Sequence, residues 1–326
     1  MPWTSRTKAH GSSAGLQFRT NSSAPSVIGA RCVVDVTDRM LGVLPVTLPD
    51  MTATSGTTGW LEVGDRVFVR RYAALDQNIG VVLGDDGALV IDTRATHVAA
   101  DEILSDLRRL TPLPVRVAVN THGHWDHCFG NARFRPAPIW GHVRCVEMML
   151  NTGERQRARI AEAIAEITDD LANVVIDPPD HTFEDTTTVE IERGGRSVEL
   201  RYLGRGHTDN DIVVLVAGAD VLFAGDLLEN DATPFFGDGY PLDWPATAEA
   251  IVEIATGAVV PGHGTVGDRS FAVRQMTEFR TVAELAKLVH RGVMGIDTAV
   301  LRTPYPADTA LEPLTRALAQ LRGELD

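Results

Sequence analysis

The sequence predicts an α/β protein made of two sheets packed face to face, with helices covering them on the outside. Three observations lead there. The patterned part of the chain runs strands, helices, strands, helices in two roughly equal halves. It shows no strict βαβ alternation of the kind that builds a doubly wound parallel sheet. It also lacks a glycine-rich phosphate loop after a strand.

Ordered patterning begins near Trp60. Residues 61–72 hold alternating apolar positions, Val67 and Val69 among them. Segments 79–83 and 88–91 flank Asp86 and Gly87, a hairpin signal. Thr96 is placed to cap a helix through Leu110, with Ile103, Leu107 and Leu110 on one face. Residues 115–119 read as a short buried strand, and 142–171 as helical, with Ile160, Ile164, Ile167 and Leu171 in one stripe. In the second half, 189–191 and 198–203 flank Gly194 and Gly195, while 212–216 and 221–223 form another hairpin. Pro245 opens a helix through Ala255. Val259 and Val260 form a short strand ending at Pro261, Gly262, His263 and Gly264. Two helices close the chain. In the last, Leu311, Leu314, Leu318, Leu321 and Leu325 recur by threes and fours, a stripe read as core packing, with a homodimer seam as the alternative.

Composition narrows the function classes. The 326 residues carry a formal net charge of −14, and Lys8 and Lys287 are the only lysines. Such a surface repels a phosphate backbone, which disfavours nucleic acid as a partner. The three cysteines, Cys32, Cys128 and Cys145, make no metal-ligand pair by spacing and no even disulfide set. No stretch approaches the ~18 apolar residues of a membrane span, and the N-terminus lacks a signal peptide's pattern. The expectation is a cytoplasmic protein with no membrane partner. Residues 1–59 form an N-terminal extension expected to be disordered, rich in Ser, Thr, Gly and Ala over 4–25, with Met51 as an alternative start. Residues 60–326 form the folded domain and include the C-terminal helices.

The residues that carry chemistry cluster at strand ends. His122, His124, Asp126 and His127 fall within six residues just after an apolar strand. Histidines two apart project to the same side of an extended segment. Imidazole and carboxylate donors suit Zn²⁺, which takes three or four of them. Three later strand ends add His207, Asp226 and His263. A carboxylate delivered by an apolar strand is costly to bury unpaired, and a metal ion supplies the compensating charge. Each later residue is a weak signal alone; the ordered set is a strong one.

This set resembles the metallo-β-lactamase superfamily over approximately residues 60–270. Its His-x-His-x-Asp-His motif is matched by His122, His124, Asp126 and His127, and its later His, Asp and His by His207, Asp226 and His263. The resemblance implies an αββα sandwich with two zinc ions at its edge. It implies that His122, His124 and His207 hold the first ion, that Asp126, His127 and His263 hold the second, and that Asp226 bridges them. The drug-hydrolysing members do not use a bridging Asp, so the resemblance points to the glyoxalase II-like and lactonase-like branches. The implied activity is hydrolysis of a small ester, lactone, thioester or β-lactam by a zinc-bound hydroxide. Asp126 takes the further catalytic role of orienting the nucleophile or shuttling its proton. Asp92 resembles the family's strand-end Asp that braces the ligand loop; helix N-terminal charge before Thr96 is the equal alternative.

Thr121, Thr208 and Asp209 are weaker supporting candidates, and Cys128 is read as a buried structural thiol. Phe235, Phe236, Tyr240 and Trp244 follow Asp226 closely and either line an apolar substrate pocket or pack the sandwich edge. The segment 142–171 lies between metal loops and is placed to form a cap. Competing readings are a mononuclear iron persulfide dioxygenase, which uses fewer of these ligands; a nuclease, disfavoured by charge; and a non-catalytic binding member, which would lose ligands that this chain keeps.

Overall fold

The computed structural model describes residues 59–193, 195–216 and 218–325. The expected N-terminal extension, apart from Gly59, and the alternative start at Met51 lie outside the described residues. The first half runs β1 (Leu61–Gly64), β2 (Val67–Tyr72), β3 (Gln77–Leu83), β4 (Ala88–Ile91), α1 (His97–Leu110), β5 (Val115–Val119), α2 (Trp125–Cys128), β6 (Ile139–His142), α3 (Val143–Ala163), α4 (Thr168–Ala172) and β7 (His181–Phe183). The second half runs β8 (Thr186–Glu190), β9 (Ser197–Tyr202), β10 (Ile212–Val216), β11 (Val221–Glu229), α5 (Trp244–Ile254) and β12 (Ala258–His263). Helices α6 (Arg269–His290), α7 (Ile296–Val300) and α8 (Leu311–Leu321) follow.

Side-chain alternation along the strands creates the layers. In β4, Leu89 and Ile91 face one core while Ala88 and Val90 face another. In β11, Val221 and Phe223 enter that same first core, whereas Leu222 and Ala224 face the opposite side. The shared core therefore lies between the two halves. The outer faces pack on α1 in the first half and on α5 and α6 in the second. In the central strands β3, β4, β10 and β11 nearly every residue is buried on both faces, in keeping with the αββα order and with their nearly continuous apolar runs. The first layer pairs in the order β1 to β7, and the second in the order β12-β11-β10-β9-β8. Among the described residues the layers join where His263 of β12 pairs with Gln77 of β3. That junction brings the strand ends that carry the predicted ligands of both halves to one edge.

Helix α1 starts where the capping signal puts it, with the Thr96 side chain accepting from the Ala99 N–H at 3.1 Å. Three expectations need correction. The helix over 142–171 is broken: α3 ends at Ala163, Ile164 is non-helical, and a 3₁₀ turn leads into α4. The break lets Ile167 and Leu171 fold back beside Ile160 onto Cys128 and Phe129, while Ile164 stays out of that cluster. The strand over 221–223 continues to Glu229, so Asp226 lies within β11 and not at its end. Gly225 takes φ +53 there and breaks the register with β12, which turns Asp226 toward the edge. The closing region has three helices where two were expected. In α8, Leu314 is buried against α6 and Leu321 is partly so, but Leu311 is 49% exposed and outside the stripe's contact.

Candidate metal centre

The tip of β5 and helix α2 form the first loop of the centre. The chain bends over residues 121–123 after β5, His124 is extended, and the single turn of α2 then presents Asp126 and His127. Side chains from α3 and from the turn after His207 brace the loop. Gln156 on α3 accepts from the Trp125 N–H at 2.9 Å and donates to the Gly123 carbonyl at 3.2 Å. Asn210 accepts from the Gly123 N–H at 2.9 Å. Helix α3 thus supports the loop from outside.

All seven predicted ligands converge. His122, His124, His207 and Asp226 offer one donor atom each within 4.8 Å of one another, as do Asp126, His127 and His263. Asp226 lies between the two groups. Its Oδ2 is 3.7 Å from His122 Nε2, 3.5 Å from His207 Nε2 and 3.4 Å from His263 Nε2, and its Oδ1 is 3.3 Å from His127 Nε2. Asp126 Oδ2 lies 3.3 Å from His263 Nε2 and 3.4 Å from His127 Nε2. Glycine makes this approach possible: a Cβ on Gly262 would sit 1.8 Å from Asp226 Oδ1.

Each histidine has its other ring nitrogen held from behind. His122 Nδ1 meets Thr121 Oγ1 at 3.2 Å, His124 Nε2 meets Asp238 at 3.0 Å, and His127 Nδ1 meets Asp92 at 2.8 Å. His207 Nδ1 donates to the Phe235 carbonyl at 3.1 Å, and His263 Nδ1 to the Leu75 carbonyl at 2.7 Å. These partners set the tautomers and leave bare nitrogens aimed inward, the arrangement metal-binding imidazoles show. Asp92 therefore does not cap α1. It binds the ligand loop, accepting also from the Thr121 N–H at 2.8 Å and hydroxyl at 2.9 Å.

The donor set fits divalent ions. His124 Nδ1 and His207 Nε2 lie 2.7 Å apart, and with these tautomers their lone pairs face each other, an arrangement that needs a positive centre between them. His122 Nε2 and Asp226 Oδ1 are buried with no hydrogen-bond partner. Burial pushes His122 well below the usual histidine range and His207 down to about 3, so both are neutral donors. Burial also opposes charge on His127 and His263, but Asp226 and Asp126 outweigh it and hold both well above that range. The centre favours positive charge on that side.

The aromatic residues divide. The Phe235 ring lies 6.1 Å from His124 and 5.9 Å from His207, and is part-exposed at the site. Tyr240 is part-exposed under the Arg205 guanidinium, 4.3 Å away. Phe236 and Trp244 do not line a pocket: both are fully buried, packed on each other and on Phe279. Trp244 backs His207 at 5.9 Å instead, and its indole N–H donates to the Leu227 carbonyl. An aromatic-rich loop carries no periodicity that separates lining residues from packing ones.

Thr121 joins the centre through Asp92 and His122, whereas Thr208 and Asp209 shape the turn after His207. Cys128 is buried, its thiol donating to the His124 carbonyl. Sequence reasoning missed Gln156, Asp238 and two buried acids, Asp211 and Glu229. Burial raises Asp211 to about 7 against the hydrogen bond from Thr208, and burial with the nearby Asp226 raises Glu229 to about 8. Asp211 and Asn210 stood in the polar run after His207 and were findable there. Gln156 and Asp238 carry no local signal, because only the fold brings them to the centre.

Comparison with known proteins agrees with this geometry. The family model of the metallo-beta-lactamase superfamily matches residues 72–263. A type 2 metallo-beta-lactamase from Bacteroides fragilis is 25% identical over 205 residues, which is 61% of this chain and 73% of that protein. A metallo-beta-lactamase structure from Pontibacter korlensis superposes with a TM-score of 0.53 at 22% identity, covering 68% of this chain and 98% of that one. A stereoselective inverting sec-alkylsulfatase from Pseudomonas sp. superposes with a TM-score of 0.64 at 15% identity, covering 80% of this chain and 50% of that one. No helix among the described residues is long and apolar enough to cross a membrane. With the sandwich, the edge cluster and the family match in agreement, the chain belongs to the metallo-β-lactamase superfamily and is one of its hydrolases.

Proposed function

We propose that this protein is a two-zinc hydrolase of small carbonyl substrates, an ester, lactone, thioester or β-lactam. The observation that carries the reading is Asp226, whose two oxygens reach donor nitrogens of both ligand groups. His122, His124 and His207 would hold one ion, Asp126, His127 and His263 the other, and Asp226 both. Imidazole and carboxylate donors favour zinc over softer or harder ions. When bound, the pair of ions supplies a water activated near neutral pH and Lewis-acid polarisation of the carbonyl.

The chain's own residues do the rest. Asp92, Thr121, Asp238 and the carbonyls of Leu75 and Phe235 keep the five imidazoles in one tautomer each. Asp126, 11% exposed on its side chain, is the ligand carboxylate placed to orient the nucleophile or take its proton. Phe235 offers the apolar wall beside the metals, with Tyr240 at the rim. The full set of seven donors argues against a mononuclear iron dioxygenase and against a non-catalytic member. The acidic balance argues against a nuclease and for a small-molecule substrate, with no nucleic-acid or membrane partner. The sparse cysteines support a cytoplasmic location.

The relatives named as metallo-beta-lactamases put the β-lactam amide among the substrates to test, while the bridging carboxylate favours esters, lactones and thioesters. The test is a panel of one chromogenic ester, one lactone, one thioester, one β-lactam and one phosphodiester, run on zinc-loaded and chelator-treated protein. Metal-dependent turnover of a carbonyl substrate is expected. Turnover of the phosphodiester alone would overturn the reading.

A further inference from the structure

We propose that helix α8, which lies beyond the segment matched by the family model, belongs to the active centre, with Arg316 acting as a positioning residue for His124. The inference rests on His124 being a metal ligand. The loop between β11 and α5 carries Phe235 and Asp238 and has no regular structure across residues 230–240. Asp238 is 40% exposed on its side chain, so burial does not fix it, yet its Oδ2 is what holds His124 Nε2 at 3.0 Å.

Arg316 supplies the fixing. Its Nε donates to the Gly239 carbonyl at 2.8 Å and its Nη2 to the Asp238 carbonyl at 3.0 Å. One planar guanidinium thus holds two successive carbonyls, a grip a lysine ammonium reproduces only in part. The same C-terminal region holds both ends of the loop. Thr309 meets Thr233 at 2.9 Å, and Gln320 accepts from the Leu242 N–H at 2.9 Å and donates to Asp243 at 3.2 Å. The helix is a firm base for this, because Leu314 and Ala317 are fully buried against Val282 and Ala286 of α6. The Tyr240 N–H donates to the Gly206 carbonyl at 2.8 Å, which ties the loop to the turn bearing His207. The path from α8 to the metals is therefore Arg316, the backbone of 238–239, the Asp238 carboxylate and the His124 imidazole. It sets which nitrogen of His124 carries the proton.

The experiment uses the full chain, Zn²⁺ titrated against a chromogenic chelator, and the visible spectrum of the Co²⁺-loaded protein. The variants are Arg316→Ala, Arg316→Lys, Asp238→Ala and the double variant Arg316→Ala with Asp238→Ala. Arg316→Ala is expected to weaken one of the two binding events about 10-fold or more, to alter the Co²⁺ spectrum, and to leave the other event near wild type. Arg316→Lys should recover part of the loss, and the double variant should be no weaker than Asp238→Ala alone. A merely structural Arg316 would lower the melting temperature while leaving zinc affinity and spectrum unchanged, which overturns the proposal, as do fully additive effects. If Arg316→Ala fails to fold, Arg316→Lys beside Asp238→Ala carries the same comparison, and wild-type affinity in Arg316→Lys overturns it. A wild-type protein that takes up no metal overturns the zinc reading itself, a result distinct from equal binding by wild type and variant.

Discussion

Asp92→Asn asks whether a carboxylate behind the ligand loop sets the state of the metal centre. Asp92 is 2% exposed and receives three hydrogen bonds, from the Thr121 N–H, the Thr121 hydroxyl and His127 Nδ1. Its backbone is at φ +65, a conformation asparagine also tolerates, so the change is isosteric in both side chain and main chain. With the amide oxygen kept for the Thr121 N–H, the NH₂ group faces the His127 Nδ1–H, donor against donor. Flipping the amide moves the clash to the Thr121 N–H. His127 escapes by carrying its proton on Nε2, the atom that faces Asp126, Asp226 and His263, and that nitrogen can then no longer hold a cation. A hydrogen bond to a charged group is worth about 1.5–3 kcal/mol, so a stability loss of that order is expected from one broken contact. Metal affinity should fall about 10–100-fold at the group containing His127. Urea unfolding and chelator competition measure the two. An Asp92→Asn protein that binds both ions with wild-type affinity would refute the reasoning.

Phe236→Ala removes a ring that is fully buried against Trp244 and Phe279, so it should cost about 3–5 kcal/mol in unfolding free energy and leave KM unchanged; a selective rise in KM would return it to the pocket. Phe235→Ala should do the reverse, raising KM for bulky substrates more than it lowers kcat for a minimal ester; equal kcat losses for both substrates would make it a support of His207. Burial holds the His142 imidazole below its ordinary value, so the folded protein prefers it neutral, whereas the unfolded chain gains a proton as pH falls through about 6.5. Its contribution is therefore present above that pH and shrinks below it. His142→Phe, which can keep the stack on Tyr202, should lose less of its urea midpoint than wild type between about pH 7.5 and 5.5, and an identical loss would count against this.

The donor cluster was legible in the sequence because its members follow or interrupt apolar strands, and strand residues are recognised by their own neighbours. Thr96, β5 and β10 lie where local signals put them for the same reason. What stayed hidden depends on distant packing. Nothing near residue 164 announces that α3 ends there, because the break is decided by where Leu171 reaches Cys128 and Phe129. Asp226 reads as a strand end because an acid after an apolar run is the usual stop. The strand continues because Gly225 absorbs the register break. Phe235 and Phe236 are adjacent in sequence and opposite in role, since one lies against His124 and His207 and the other in the core under α5 and α6. Arg316 is some 78 residues from the carbonyl of Asp238 it binds, a separation no local pattern bridges.

The most direct measurement is metal content in the purified chain beside Asp226→Ala. Asp226 is the predicted ligand whose two oxygens lie against both donor groups, so on the two-ion reading its removal would leave three protein donors to each ion and nothing shared between them. Wild type should carry close to two equivalents of zinc. Asp226→Ala should fold with an unchanged circular dichroism spectrum, retain less metal and lose most of its kcat. An Asp226→Ala protein that kept both ions and near-normal turnover would contradict the bridging role and the two-metal hydrolysis built on it.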